Sequence, residues 1–269
     1  MNARGDPLEG WLAALEARHL ADLTFAEVRR ALQALSSLYV ERRARMRPGA
    51  ALEGAGKRAA FALFYAPLHF LLVREIVRTV GARCPARRIL DLGCGTGACG
   101  AAWALEHDPR QRPPLLGIDR SPWAAQEARF TYRALGLAGE ARVSDLDRVR
   151  LGTEGVLAAF TVNELSPEAR ARLLSRTLEG ARRGARILVV EPIARAVSPW
   201  WDEWRSAFMS AGGRADEWRF RLKLPALLRR LDEAAGLDHR ELTGRSLWLG
   251  PGKADGSAEE RAHRPRTGS

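Results

Sequence analysis

Cysteine, lysine and long uncharged runs are all scarce in this chain. Three cysteines among 269 residues, Cys84, Cys94 and Cys99, are too few for a disulfide framework, and two of them lie in or beside a glycine-rich stretch. A reducing compartment, the cytoplasm, is therefore expected. No group of Cys and His has metal-ligand spacing, so no metal site is expected. The N-terminus lacks the apolar core of a signal peptide. The longest uncharged stretch, Ala59 to Val73, contains Pro67 and His69. It falls short of the roughly 18 apolar residues of a membrane span, so it is expected in the core and no membrane association is expected. Lysine occurs only at Lys57, Lys223 and Lys253, so nearly all of the 43 basic residues are arginine, and the net charge is +11. Two explanations stay open: affinity for a polyanion such as RNA, or a coding bias toward Arg, Ala, Gly and Leu.

What is present points to one large α/β domain with a smaller appendage. Residues 1–82 read as a helical N-terminal extension. Leu8, Trp11, Leu12 and Leu15 fall at helical spacing, and Thr24-Phe25-Ala26-Glu27 fits a capping box before Val28, Leu32, Leu35 and Leu38. The basic run Arg42 to Arg47 ends at Pro48-Gly49, as a solvated helix end or as an RNA-facing patch. Leu52 to Val80 carries a second apolar helical face, which Pro67 either kinks or restarts. From residue 87 strands and helices alternate. Strands are expected at Ile89–Leu92, Leu115–Asp119, Ala141–Asp145, Val156–Val162 and Arg186–Glu191. Near-uniformly apolar strands separated by helices mean a parallel sheet covered on both faces, and right-handed crossovers make it doubly wound. Trp200, Trp201, Trp204, Phe208, Trp218 and Phe220 fall in 193–224, expected as a Trp-rich insertion that acts as a lid, packs on the core or offers stacking surfaces. Asp238–Thr243 and Ser246–Leu249 are expected to pair as a hairpin across Gly244, closing a domain of residues 83–250, and 251–269 reads as a disordered tail.

The chain is organised around Arg88-Ile89-Leu90-Asp91-Leu92-Gly93-Cys94-Gly95-Thr96-Gly97, a buried strand running into a tight turn and then a helix N-terminus. The dinucleotide spacing G-x-G-x-x-G is absent. Asp-x-Gly-x-Gly-x-Gly resembles motif I of the class I S-adenosylmethionine methyltransferases. That resemblance implies a mostly parallel seven-stranded Rossmann-like sheet ending in an antiparallel pair, and S-adenosylmethionine as cofactor. It implies cofactor contacts from Asp91, Gly93, Cys94, Gly95 and Gly97 at the loop. Asp119 would accept the ribose hydroxyls, with Arg120 and Trp123 beside it. Asp145 with Leu146 would meet the adenine, Asp147 being the nearby substitute for Asp145, and Asn163 completes the set. Tyr65 and His69 are aromatic candidates from the preceding helix.

Asn163-Glu164-Leu165 follows the fourth strand, where such enzymes place substrate-facing residues. It is not the Asn/Asp-Pro-Pro-aromatic motif of base amino-methylating enzymes. Glu164 is the candidate base or substrate-positioning carboxylate, and Glu191-Pro192 is a second acid at the pocket edge. Residues 31–39, 64–67, 161–165 and 190–192 are similar to methyltransferase-like proteins associated with the small ribosomal subunit, although this chain has no cysteine after Cys99 to match that family's iron–sulfur region. Three functions follow from the resemblance: methylation of ribosomal RNA or a ribosomal component, methylation of a small molecule beneath a lid, or non-catalytic S-adenosylmethionine binding during ribosome assembly.

Overall fold

A computed structural model describes residues 6–41, 53–82, 87–152, 154–194 and 198–250. The basic run 42–47, Cys84 and the tail 251–269 lie outside the described residues.

Four helical segments form the N-terminal part. Helix α1 (Pro7–His19) starts where the Asp6 carboxylate accepts the Leu8 N–H, with Pro7 in the first turn where no N–H is needed. Its buried face is Leu8, Trp11, Leu12 and Leu15. Helix α2 (Phe25–Glu41) opens on the expected capping box: the Thr24 N–H donates to Glu27 Oε2 at 2.8 Å, and the Glu27 N–H to Thr24 Oγ1 at 3.3 Å. Helix α3 (Ala55–Ala60) runs through a π turn (Phe61–Tyr65) into α4 (Ala66–Val80). The Ala66 N–H reaches back to the Phe61 carbonyl, one residue further than an α-helix allows. Pro67 follows at once, so the wider turn accommodates a ring that would otherwise clash with the preceding turn. Residues 55–80 are long and apolar enough to cross a membrane, yet 72% of the apolar window is buried inside the fold.

The sheet has the order β3-β2-β1-β4-β5-β7-β6. The strands are β1 (Ile89–Leu92), β2 (Leu115–Asp119), β3 (Gly139–Val143), β4 (Gly155–Ala159), β5 (Arg186–Glu191), β6 (Arg214–Phe220) and β7 (Leu242–Leu249). The first five are parallel, and β7 runs antiparallel to both β5 and β6. Helices α5 (Ala98–Leu105) and α6 (Pro122–Ala134) share one face with α4 and α9 (Ala226–Ala235). Helices α7 (Pro167–Arg182) and α8 (Trp201–Ser210) cover the other. The chain changes face between β1 and β4, which opens a crevice at the strands' carboxyl ends.

Among the described residues of 193–224 the packing reading holds and the lid reading does not: Trp200 and, on α8, Trp201, Trp204 and Phe208 are buried on the sheet, and 214–220 is the edge strand β6. The tryptophans at helical spacing are there because α8 needs an apolar face. The hairpin across Gly244 is also absent, because 242–249 is one unbroken strand. A Cβ at Gly244 would lie 2.9 Å from Leu72 Cδ2, so this glycine lets β7 pass close under α4 instead of turning.

One buried cluster ties the N-terminal helices to the sheet domain. Glu127 on α6, 2% exposed, accepts Arg18 Nε and Nη2 at 3.0 and 2.7 Å and lies 3.1 Å from His19 Nε2. Burial raises its pKa, but the bonds from His19 and Arg18 outweigh burial and hold it below the ordinary range. A depressed carboxyl stabilises the fold above its unfolded pKa, and that contribution is lost as pH falls through the folded value. Glu127→Gln is expected to lower stability at neutral pH by about 3 kcal/mol, the scale of a broken buried ion pair. In urea titrations the difference from the native chain should shrink as the pH drops below the carboxylate range.

Candidate functional site

The crevice lies over the ends of β3, β2, β1, β4 and β5, each about 4.8 Å from the next. At its centre is the loop after β1. Gly93, Gly95 and Gly97 all have positive φ (67°, 51° and 75°). Two of them are packed: a Cβ at Gly93 would lie 2.5 Å from the Thr161 side chain, and one at Gly97 would lie 2.6 Å from the Tyr132 ring. A Cβ at Gly95 would meet nothing within 4 Å, so the middle of the loop lies against open space.

Asp91 is the foundation of this loop. It is 1% exposed, and its Oδ2 accepts the Gly100 N–H at 3.1 Å in the first turn of α5. Burial, helped by the charge of Asp119 and opposed by the Gly100 bond, pushes its carboxyl up to about 7. The Cys94 and Cys99 thiols are buried beside it and are pushed up by burial as well. Asp119, half-buried at the end of β2, accepts the Gly95 N–H at 3.0 Å and the Ser121 N–H at 2.8 Å. Ser121 caps α6 through the Ala124 N–H, and half-buried Trp123 lies in that first turn under the Arg58 guanidinium.

At the end of β3 the Asp145 carboxylate accepts the Asp147 N–H at 3.0 Å and pairs with Arg120 at 2.8 Å. The Asp147 N–H and the Arg120 charge hold its pKa low. Leu146 is buried behind it. Asp147 is drawn away to Arg172 and Arg176 on α7, which leaves Asp145 as the acid of this corner.

The loop after β4 is clamped on both flanks. The Thr161 hydroxyl bridges to the carbonyls of Leu92 (2.9 Å) and Ala159 (3.1 Å), under the glycine loop. On the other side Glu191, with no exposed surface, accepts the Val162 and Asn163 N–H groups at 2.8 and 3.3 Å and Asn163 Nδ2 at 2.7 Å. The Asn163 Oδ1 in turn accepts Ser198 Oγ and Trp200 Nε1, both at 2.8 Å. Both ends of the Asn163 side chain are thus engaged in holding the 162–164 turn. Glu164, at the end of that turn, is exposed.

The apolar run Val156–Val162 predicts Phe160 inside the fourth strand; the structure ends the strand at Ala159. Phe160 is the one non-glycine at positive φ among the described residues (58°), a conformation costing roughly 1–3 kcal/mol. It stacks on His69 of α4 at 3.7 Å between ring centres, with Phe61 and Tyr65 close by. No local signal marks a phenylalanine for this backbone. The structure therefore brings together the glycine loop, Asp119, Arg120, Trp123, Asp145, Leu146 and the Asn163 turn along one sheet edge, with Asp91 beneath it.

No family model matches this chain. It is 32% identical over 110 residues to the ribosomal RNA small subunit methyltransferase C of Pseudomonas fluorescens, a match covering 39% of this chain and 32% of that protein. It is 45% identical over 74 residues to the ribosomal RNA large subunit methyltransferase G of Streptomyces coelicolor, covering 27% and 19%. The chain thus spans a third or less of the length of these curated relatives. Among solved structures, a putative O-methyltransferase of Nostoc punctiforme is 14% identical with TM-score 0.47, covering 90% of this chain and 72% of that one. A magnesium protoporphyrin IX methyltransferase of Synechocystis is 13% identical with TM-score 0.44, covering 81% and 98%. The seven-stranded, mostly parallel Rossmann-like sheet with its antiparallel final pair is the architecture that the sequence resemblance implies.

Asp91 gives this site a pH signature. Its folded pKa lies above its unfolded value, so it favours the fold below the ordinary carboxylate range and that advantage is lost as pH rises to about 7. Asp91→Asn retains an oxygen for the Gly100 N–H and no longer ionises. Urea midpoints should show the native chain losing ground to this variant between roughly pH 4 and 7, then running parallel to it.

Proposed function

We propose that this chain is an S-adenosylmethionine-dependent methyltransferase whose acceptor is in ribosomal RNA. The observation that carries the reading is the glycine loop at the sheet's switch point, open at Gly95 and hydrogen-bonded there to Asp119. Such a loop fits close approach by a small ligand. Asp119 and Asp145 put half-buried carboxylates along this edge, above the buried Asp91, which suits a ligand that carries hydroxyl and amine donors. Asp119 would hold the ribose hydroxyls. Trp123, Arg120, Asp145 and Leu146 would flank the adenine, and residues 93–97 would lie under the methionine end. When bound, the cofactor supplies an electrophilic methyl group.

The chain's own contribution is placement. Thr161 and Glu191 fix the turn at 162–164, so an acceptor lying against it is held in one orientation without reorganising the loop. Asn163 acts in this reading as a positioning residue. Glu164 stands at the exposed end of the turn, where it would take a proton from the acceptor. Ribosomal RNA as acceptor is supported by the relatives' names and by the arginine excess. The buried free thiols Cys94 and Cys99 suit a reducing compartment such as the cytoplasm.

Calorimetry with S-adenosylhomocysteine is expected to show binding that Asp119→Ala weakens by roughly tenfold, the consequence of unpaired ribose hydroxyls worth about 1–3 kcal/mol. Unchanged affinity would remove Asp119 from the ribose. Incubation with radiolabelled S-adenosylmethionine and fractionated extract is expected to label ribosomal RNA. Label in small molecules would instead favour the metabolite reading, and cofactor binding without any label would favour an assembly factor. Glu164→Gln should keep its cofactor affinity and lose about 10²-fold in transfer rate, the usual scale of a general base.

A further inference from the structure

Strand alternation would send the residue after Ala159 to the face of the sheet that holds Val156 and Ala158. Phe160 does not go there. Its left-handed backbone carries the ring to the opposite face, against α4. The backbone is fixed in that shape: the Phe160 N–H donates to the Val190 carbonyl at 2.8 Å, and the next residue is held by the Thr161 hydroxyl bonds. The ring therefore stands at the carboxyl end of β4, directly before the 162–164 turn. His69 lies flat on it, at 3.7 Å and 16° between planes. Both rings are only half-buried. Phe61 meets His69 edge-on, at 6.0 Å and 79°, and Tyr65 lies tilted at 6.4 Å.

We propose that Phe160 is the seat of a planar heteroaromatic acceptor such as a nucleobase, and that His69 occupies this seat until the acceptor's ring displaces it. This rests on the methyltransferase reading and names the acceptor's shape. A strained aromatic held rigidly at a ligand-facing strand end marks a site built for contact. The imidazole already shows what that contact is, a flat heterocycle at van der Waals separation. Phe160 is the fixed partner because its backbone is clamped. His69 is the movable one, because a half-buried side chain on a helix leaves by rotation about its own bonds. A nucleobase offers the same flat face with a larger area, and ring-on-ring stacking accepts every base. The acceptor would thus be screened by α4, an element of the N-terminal helical part.

The test uses the full chain with 13C-labelled histidine, observed by NMR. His69 resonances, assigned by their loss in His69→Gln, are expected to be displaced by the Phe160 ring current. With S-adenosylhomocysteine present, adding guanosine, adenosine, cytidine or uridine should move them toward unstacked positions. Phe160→Leu, which keeps an apolar side chain of similar size, should abolish the ring-current shift. It should weaken nucleoside binding roughly tenfold or more, the scale of one base–aromatic stack, and leave S-adenosylhomocysteine affinity unchanged. His69→Gln should tighten nucleoside binding. If S-adenosylhomocysteine binds but no nucleoside moves His69, or if neither variant alters nucleoside affinity, the seat is elsewhere. If S-adenosylhomocysteine itself does not bind, the methyltransferase reading falls and this inference with it; the native-chain titration separates the two failures without relying on any variant.

Discussion

The turn that follows β4 hangs on one buried carboxyl group. Glu191 ends β5 with no exposed surface, and its two oxygens take the N–H groups of Val162 and Asn163 and the amide of Asn163. The β5–β7 register sets Arg245 opposite it. A buried carboxyl group is tolerated only when its hydrogen-bonding capacity is met, and three of the groups that meet it belong to the loop that must be held still. The Thr161 hydroxyl does the corresponding work toward β1. With both flanks tied, the neighbouring backbone at Phe160 has little choice, and it takes the left-handed shape that a phenylalanine otherwise avoids.

The glycine loop was legible in the sequence because its chemistry is local. Three glycines at alternate positions, between an apolar strand and a helix, have few uses apart from positive φ and close approach. The acids Asp119 and Asp145 were legible for the same reason, each closing a recognisable strand or following one directly. The capping box at Thr24 was plain as well. What could not be read depended on partners far along the chain. Gly244 reads as a turn until Leu72, on a helix more than 170 residues earlier, is known to lie over it. The tryptophans of α8 read as an insertion because β6 has a mixed polar pattern, as edge strands do, and so gives no apolar signature. Phe160 belongs to an apolar run, and nothing within that run says where pairing stops.

The N-terminal helices are part of the same machine. Trp11 and Phe70 pack with ring centres 5.3 Å apart, and Trp103 of α5 donates its indole N–H to the Ala82 carbonyl at 2.7 Å. Together with Glu127, these contacts hold α1 and α4 to the α5–α6 face of the sheet. The helix that carries His69 thus stands on the same body as the glycine loop, so the position of its backbone relative to Phe160 is a property of the fold.

The strand order has a consequence for how the molecule is assembled. Strand β6 precedes β7 in the chain, yet β7 lies between it and β5. Until residues 242–249 are in place, β6 has no neighbour in the sheet, and β5 presents a bare edge of unpaired main-chain groups. During synthesis β2, β3, β4 and β5 emerge in a sequence in which each finds a partner already made. The last two must wait for one another, and they close the sheet by contacts of long sequence separation, the slow kind. The side of the crevice that holds Arg245 opposite Glu191 is therefore the last part of the protein to become itself.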